Sequence, residues 1–144
     1  MQAVRILVAL IVGLFVGGFV NSMIITVGPM IIPPPAGVDV TSPETLAASS
    51  HLFGPQHFIF PFLAHAIGTF VACILVCLIS PQYKILLAYL VAALFLVGGI
   101  TVGFLIPAPA WFVFVDLAFA YIPMAYLALK VLKINPLPTD LTTL

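Results

Sequence analysis

The chain has 144 residues, 64% of them hydrophobic and 6% charged, with a mean hydropathy of +1.34 and no net charge. Soluble domains carry about a quarter charged residues, so a chain this apolar cannot cover its surface with polar groups and reads as an integral membrane protein. The same composition excludes a basic face for nucleic acid and any run of like charge that could serve as an interaction tail.

The first apolar run is Val4–Val27. Arg5 ahead of an apolar core gives it the look of a signal peptide. The run is too long for that, and no small-residue cleavage pattern follows, so a retained membrane helix is expected. Gly13, Gly17 and Asn21 recur at every fourth position. That spacing predicts a small face on which another helix can pack closely.

A long connection, Gly28–Gln56, comes next. Pro33-Pro34-Pro35 favours stiff, extended polyproline II backbone. Ser42 suits an N-cap, Pro43 the first helical position and Glu44 the first turn. A short surface helix over Pro43–Leu52 is expected, ended by Gly54-Pro55.

The second run, His57–Ile79, begins inside a stretch, His51–Gly68, that gathers all three histidines, His51, His57 and His65. Pro61 is expected to kink it and free the carbonyl of His57. His65, Thr69, Cys73 and Cys77 fall on one face. The two cysteines are not spaced as C-x-x-C, so they read as small buried hydrophobes. The third run, Tyr83–Ile106, carries Ala88, Ala92, Gly99 and Gly103 near one face. The fourth, Pro109–Leu132, carries Asp116, with Pro123 expected to kink it. Ser80-Pro81-Gln82 and Pro107-Ala108-Pro109 are tight turns that make consecutive helices antiparallel neighbours.

Each run approaches or exceeds the ~20 helical residues that span a bilayer. The fold predicted is an all-α bundle of four transmembrane helices, one domain over the whole chain, with a structured extracytoplasmic loop between the first two. Arg5, Lys84, Lys130 and Lys133 all fall on one side of such a bundle. By the positive-inside rule both termini are cytoplasmic, as in a protein of a bacterial inner (plasma) membrane.

Orientation fixes depth. His65 lies roughly 12 Å inward from His57, and Asp116 roughly 10 Å inward from Pro109, at 1.5 Å per residue. Asn21 lies near the outer end of the first span. Three spans therefore bring a polar side chain to similar levels in the outer half of the membrane. A carboxylate there needs a partner, and His65 is the ionisable group at its depth. Asn21, His65 and Asp116 form the expected polar cluster. With Glu44, His51 and His57 folded over it, the set Glu44, His51, His57, His65 and Asp116 has ligand types suited to zinc, iron or manganese. The same imidazoles could relay protons, since histidine titrates near neutral pH.

Two function classes follow. One is a non-enzymatic membrane component, a homo-oligomer or a subunit of a larger complex, in contact with lipid and membrane-protein partners. The other is a metal-dependent or proton-handling membrane enzyme or small transporter.

Overall fold

A computed structural model describes residues 1–135 of the chain. Residues 136–144, the tail of the unit expected from the sequence, lie outside the described residues. The elements are α1 (Gln2–Ile31), α2 (Pro43–Ser49), α3 (Ile59–Ile79), α4 (Lys84–Leu105), α5 (Ala110–Phe119) and α6 (Ile122–Val131). Two 3-10 turns, Ser50–Leu52 and Pro55–Phe58, lie between α2 and α3. Among the described residues there is no strand. Four helical stretches are long and apolar enough to cross a membrane, namely Gln2–Ile31, Pro55–Ile79, Lys84–Leu105 and Ala110–Val131. The chain is thus a helical, multi-pass integral membrane protein.

Helix α3 is central because it carries two small faces. One faces α1. A Cβ on Gly17 would lie 2.6 Å from Ala72 Cβ and 2.7 Å from the Gly68 carbonyl. A Cβ on Gly68 would lie 2.9 Å from both Asn21 Cβ and the Gly17 carbonyl. Gly13 meets Ala72 and Val76, and Gly28 meets Phe60. As α1 advances its partners on α3 recede, so the two helices are antiparallel along a glycine seam. The α1 glycine face expected from the sequence is this seam. Its partner face on α3 is Gly68, Ala72 and Val76.

The stripe of Thr69, Cys73 and Cys77 looks the other way. Cys73 Sγ donates to the Ala88 carbonyl at 3.3 Å and Cys77 Sγ to the Lys84 carbonyl at 3.4 Å. Both cysteines are free and buried. They fill the α3–α4 interface and also satisfy weak donors there. Ala125, Ala128 and Leu129 of α6 complete a core with Ala9, Val76, Ile85, Ala88 and Ala92. Arg5, Lys84, Lys130 and Lys133 sit around this end of the bundle, on the first turns of α1 and α4 and the last turn of α6 and beyond.

Local sequence departs from simple expectation at several points. Helix α1 runs to Ile31, past Val27, so the loop begins later than Gly28. Pro29 lies inside the last turn of α1, where its missing N–H leaves the Ile25 carbonyl without its intrahelical donor. Pro61 does not kink α3. The helix begins at Ile59, which puts Pro61 in its first turn, where an N–H has no intrahelical acceptor. The stretch expected as one surface helix is α2 followed by a 3-10 turn. Ser42 caps α2, its Oγ accepting from Thr45 N at 3.5 Å and donating to Glu44 Oε2 at 2.6 Å. Pro35, Ala36 and Gly37 turn the chain, with Val38 N–H donating to Pro35 O and Gly37 at φ 81, a left-handed conformation that suits glycine.

The fourth span is interrupted rather than bent. Helix α5 closes with Ala120 N–H donating to Asp116 O at 2.9 Å. Tyr121 adopts φ −124 and ψ −81, and α6 restarts at Ile122 with Pro123 in its first turn. Proline cannot donate to the carbonyl four residues before it, so the chain restarts the helix around it.

Candidate functional site

The interruption after α5 builds the most polar point inside the bundle. His65, two turns into α3, and Asp116, in the last turn of α5, meet directly. His65 Nδ1 lies 2.8 Å from Asp116 Oδ1 and 2.9 Å from Oδ2. Tyr121 donates its hydroxyl to Asp116 Oδ2 at 2.8 Å, and its ring lies tilted beside the imidazole at 5.6 Å. Asp116 is 4% exposed and the hydroxyl bond is buried. The carboxylate therefore receives Nδ1–H from one side and O–H from the other. Nδ1 therefore carries a proton, and in the neutral form of the ring Nε2 presents a lone pair. Nε2 makes no hydrogen bond among the described residues.

Sequence reasoning missed Tyr121. It follows Asp116 by five positions, about 140° around a regular helix. Only the break at Ala120–Tyr121 turns it back to the carboxylate. Gly99 completes the arrangement: a Cβ there would collide with the Tyr121 hydroxyl. The signals in the sequence were Pro123 and the small residue on α4.

Above the pair is a cavity of about 780 Å³. Its walls come from the end of α1 (Ile25, Gly28, Met30), the start of α3 (Phe60, Pro61), the end of α4 (Gly99, Gly103, Phe104) and α5 (Phe112, Val113, Leu117). The loop covers it with Pro34, Val40, Leu46 and Phe53. His65 and Asp116 are at its floor. The lining is overwhelmingly apolar, and no Lys or Arg contributes to it.

His57 holds the cover in place. Its Nδ1 accepts from Gly54 N–H at 3.0 Å, and its Nε2 lies 3.1 Å from the Pro33 carbonyl, 24 residues away. The loop is pinned at its start by this imidazole. Asp39 braces the turn before α2, accepting from Thr41 N at 2.8 Å and from Thr41 Oγ1 at 2.6 Å. Those bonds hold the Asp39 carboxyl below its ordinary value, and the Ser42 hydroxyl does the same for Glu44.

The five residues expected as metal ligands are not brought together. Among the described residues, no three His, Cys, Asp or Glu side chains converge as a metal site requires. Glu44 is spent on Ser42, and His57 on the loop backbone. His51 is exposed and lies in the 3-10 turn after α2. Its expected alignment with Glu44 needed an unbroken helix, which α2 does not provide. Of the set expected, the structure brings together one pair among the described residues, His65 and Asp116. Asn21 stands apart from that pair. It packs on Gly68, and its buried Oδ1 has no hydrogen-bond partner, as is also true of Thr69 Oγ1.

No protein-family model, curated protein or solved structure matches this chain.

Proposed function

We propose that this membrane protein binds a lipid-soluble molecule in the loop-covered cavity and that His65, backed by Asp116, handles a proton at its head. The observation that carries the reading is the His65–Asp116 bond of 2.8 Å at the floor of an otherwise apolar cavity of about 780 Å³. Ligand sites are typically apolar clefts of roughly 300–1,000 Å³ with a few convergent polar groups. An intramembrane ionisable pair marks such a site by default. The proton step follows from the tautomer. Nε2 takes a proton from a ligand hydroxyl; Asp116 steadies the resulting imidazolium through Nδ1–H, and that imidazolium is the counterion of the ligand oxyanion left behind.

The orientation adopted with this reading puts both termini in the cytoplasm of a bacterial cell and the cavity in the outer half of its plasma membrane. The four basic residues share the opposite end of the bundle, which supports that placement.

The test is occupancy. Native mass spectrometry of the protein released from gentle detergent is expected to show a co-purifying lipid-soluble species. Val113→Trp, which fills the cavity one turn before Asp116, is expected to remove it while the protein stays folded. Equal occupancy in the variant would place the ligand elsewhere and end the reading.

A second reading has its own observation. Gly98 of α4 is exposed and has nothing within 4 Å of where a Cβ would stand. An outward glycine permits close approach of a helix from a second copy or another membrane protein. Cross-linking from Gly98→Cys tests it; a monomer-only product in native membranes argues against it.

A further inference from the structure

We propose that the molecule the cavity takes is a neutral phenolic lipid, an aromatic ring with a free hydroxyl on an apolar tail, whose hydroxyl donates to Nε2 of His65. The inference rests on the cavity reading above and adds the ligand's chemical class.

Charge is the first argument. The cavity lining holds no Lys or Arg, and its floor is the Asp116 carboxylate. A phosphate or carboxylate head would meet a like charge with no counterion, which is costly in a low-dielectric site. A cationic head fares no better. Asp116 is 4% exposed and lies behind the two groups that donate to it, Nδ1 of His65 and the Tyr121 hydroxyl, which leaves a cation little direct access to the carboxylate. The head group is therefore neutral.

Hydrogen-bond polarity is the second argument. His57 spends both ring nitrogens on Gly54 and Pro33 and offers nothing inward. The polar handle that remains at the floor is Nε2 of His65. With Nδ1–H committed to the carboxylate, Nε2 of the neutral ring is an acceptor, so that form selects a donor such as a hydroxyl over a carbonyl or an ether.

Shape is the third. Phe58 and Phe112, which line the cavity, stack with ring centroids 4.7 Å apart, and Phe53 and Phe60 are close by in the lining. Such rings favour an aromatic head in offset or edge-on packing. The cavity also opens on the outer surface of the helices. Met30 of α1 and Phe104 of α4 line it and are 77% and 86% exposed. A tail can leave between α1 and α4 into the lipid.

Trp111 is the single tryptophan and packs edge-on against Phe58 at 5.7 Å. Its fluorescence therefore reads occupancy in the natural protein and in Asp116→Asn; in Val113→Trp, which brings a second tryptophan, occupancy is read by native mass spectrometry. The probes are a decyl-substituted hydroquinone, its dimethyl ether, the corresponding quinone and oleate, each titrated into the protein in uncharged detergent. The hydroquinone is expected to bind at least about tenfold more tightly than the ether, the worth of one hydrogen bond to a buried partner. A decyl monophenol that cannot be oxidised is expected to bind like the hydroquinone; if only the hydroquinone binds, a single phenolic hydroxyl is not what Nε2 recognises and the assignment is overturned. Asp116→Asn separates hydroxyl recognition from mere burial. Tyr121 keeps the amide oxygen, so the amide NH2 faces Nδ1 and the ring proton moves to Nε2. In that variant the preference is expected to reverse, with the quinone bound more tightly than the hydroquinone. Equal binding of hydroquinone and ether, abolished by Val113→Trp, would overturn the hydroxyl recognition and leave the cavity reading intact. Tighter binding of oleate or of the quinone by the natural protein would also overturn it. No binding of any probe, or binding that Val113→Trp leaves unchanged, would overturn both.

Discussion

At the scale of residues, Asp116 is held by two donors from different helices, and one of them depends on a glycine. Tyr121→Phe removes the hydroxyl from a buried carboxylate oxygen, which typically costs about 1–3 kcal/mol. Gly99→Ala puts a methyl group where that hydroxyl sits, and buried overpacking costs a similar ~1–3 kcal/mol. The two act on one bond, so they should not add. Thermal unfolding in detergent is expected to show the Gly99→Ala penalty falling by roughly half in a Tyr121→Phe background. Full additivity would mean that the glycine serves ring packing alone. The meeting of His65 and Asp116 was legible beforehand because consecutive spans alternate in direction, which puts the starts of the second and fourth spans at one end, and direction sets depth. Tyr121 was not legible, since a proline tells that a helix will be disturbed but not which side chain the disturbance turns inward. The proposed contribution of Asn21 to the same cluster failed for a related reason. Depth alone does not give rotation about the helix axis, and α1 turns Asn21 toward Gly68.

At the scale of elements, α1 offers a built-in control. Gly17 and Gly18 are adjacent, yet a Cβ on Gly17 meets Ala72 and the Gly68 carbonyl while one on Gly18 meets nothing within 4 Å. Gly17→Ala is expected to lower the melting temperature in detergent because α1 must move off α3. Gly18→Ala is expected to leave it unchanged or raise it slightly, since alanine is the better helix former by up to about 1 kcal/mol. Equal losses at the two positions would deny that backbone approach holds this seam. The every-fourth-residue glycines made α1's packing face readable. Its partner on α3 was harder, because the more conspicuous stripe, Thr69, Cys73 and Cys77, serves α4 instead. The kink expected at Pro61 shows the same limit: a proline's effect depends on where its helix starts, and the start was set by the 3-10 turn at Pro55–Phe58.

At the scale of the whole molecule, the four basic residues lie at one end and the cavity at the other. The proposed orientation can be checked with single cysteines, since Cys73 and Cys77 are buried and give little background. Ser49→Cys and Ala108→Cys are expected to react with an impermeant thiol reagent applied to intact cells. Gln82→Cys is expected to react only after the membrane is opened. The reverse pattern would turn the molecule over and place the cavity in the inner leaflet. The spans themselves were legible from length and hydropathy, because hydrocarbon tolerates only backbone that satisfies its own hydrogen bonds.

The pairing of His65 with Asp116 also bears on how the chain is made. The fourth span is the least hydropathic of the four and contains a carboxylate, whose insertion near a helix centre costs about 2.5–3.5 kcal/mol. Its α5 segment, ten residues long, cannot cross alone. Its partner is 51 residues upstream, so the imidazole is already in the bilayer when Asp116 leaves the ribosome. Synthesis order then has the hydrogen-bond partner in place first, so the late span is expected to insert with its help rather than alone. In a glycosylation-reporter assay, the isolated fourth span is expected to insert poorly and its Asp116→Leu form well. In the full chain, His65→Leu is expected to lower insertion of the fourth span while the second and third insert as before. Unchanged insertion of the fourth span in that variant would show that the pair forms only after the translocon has released the chain.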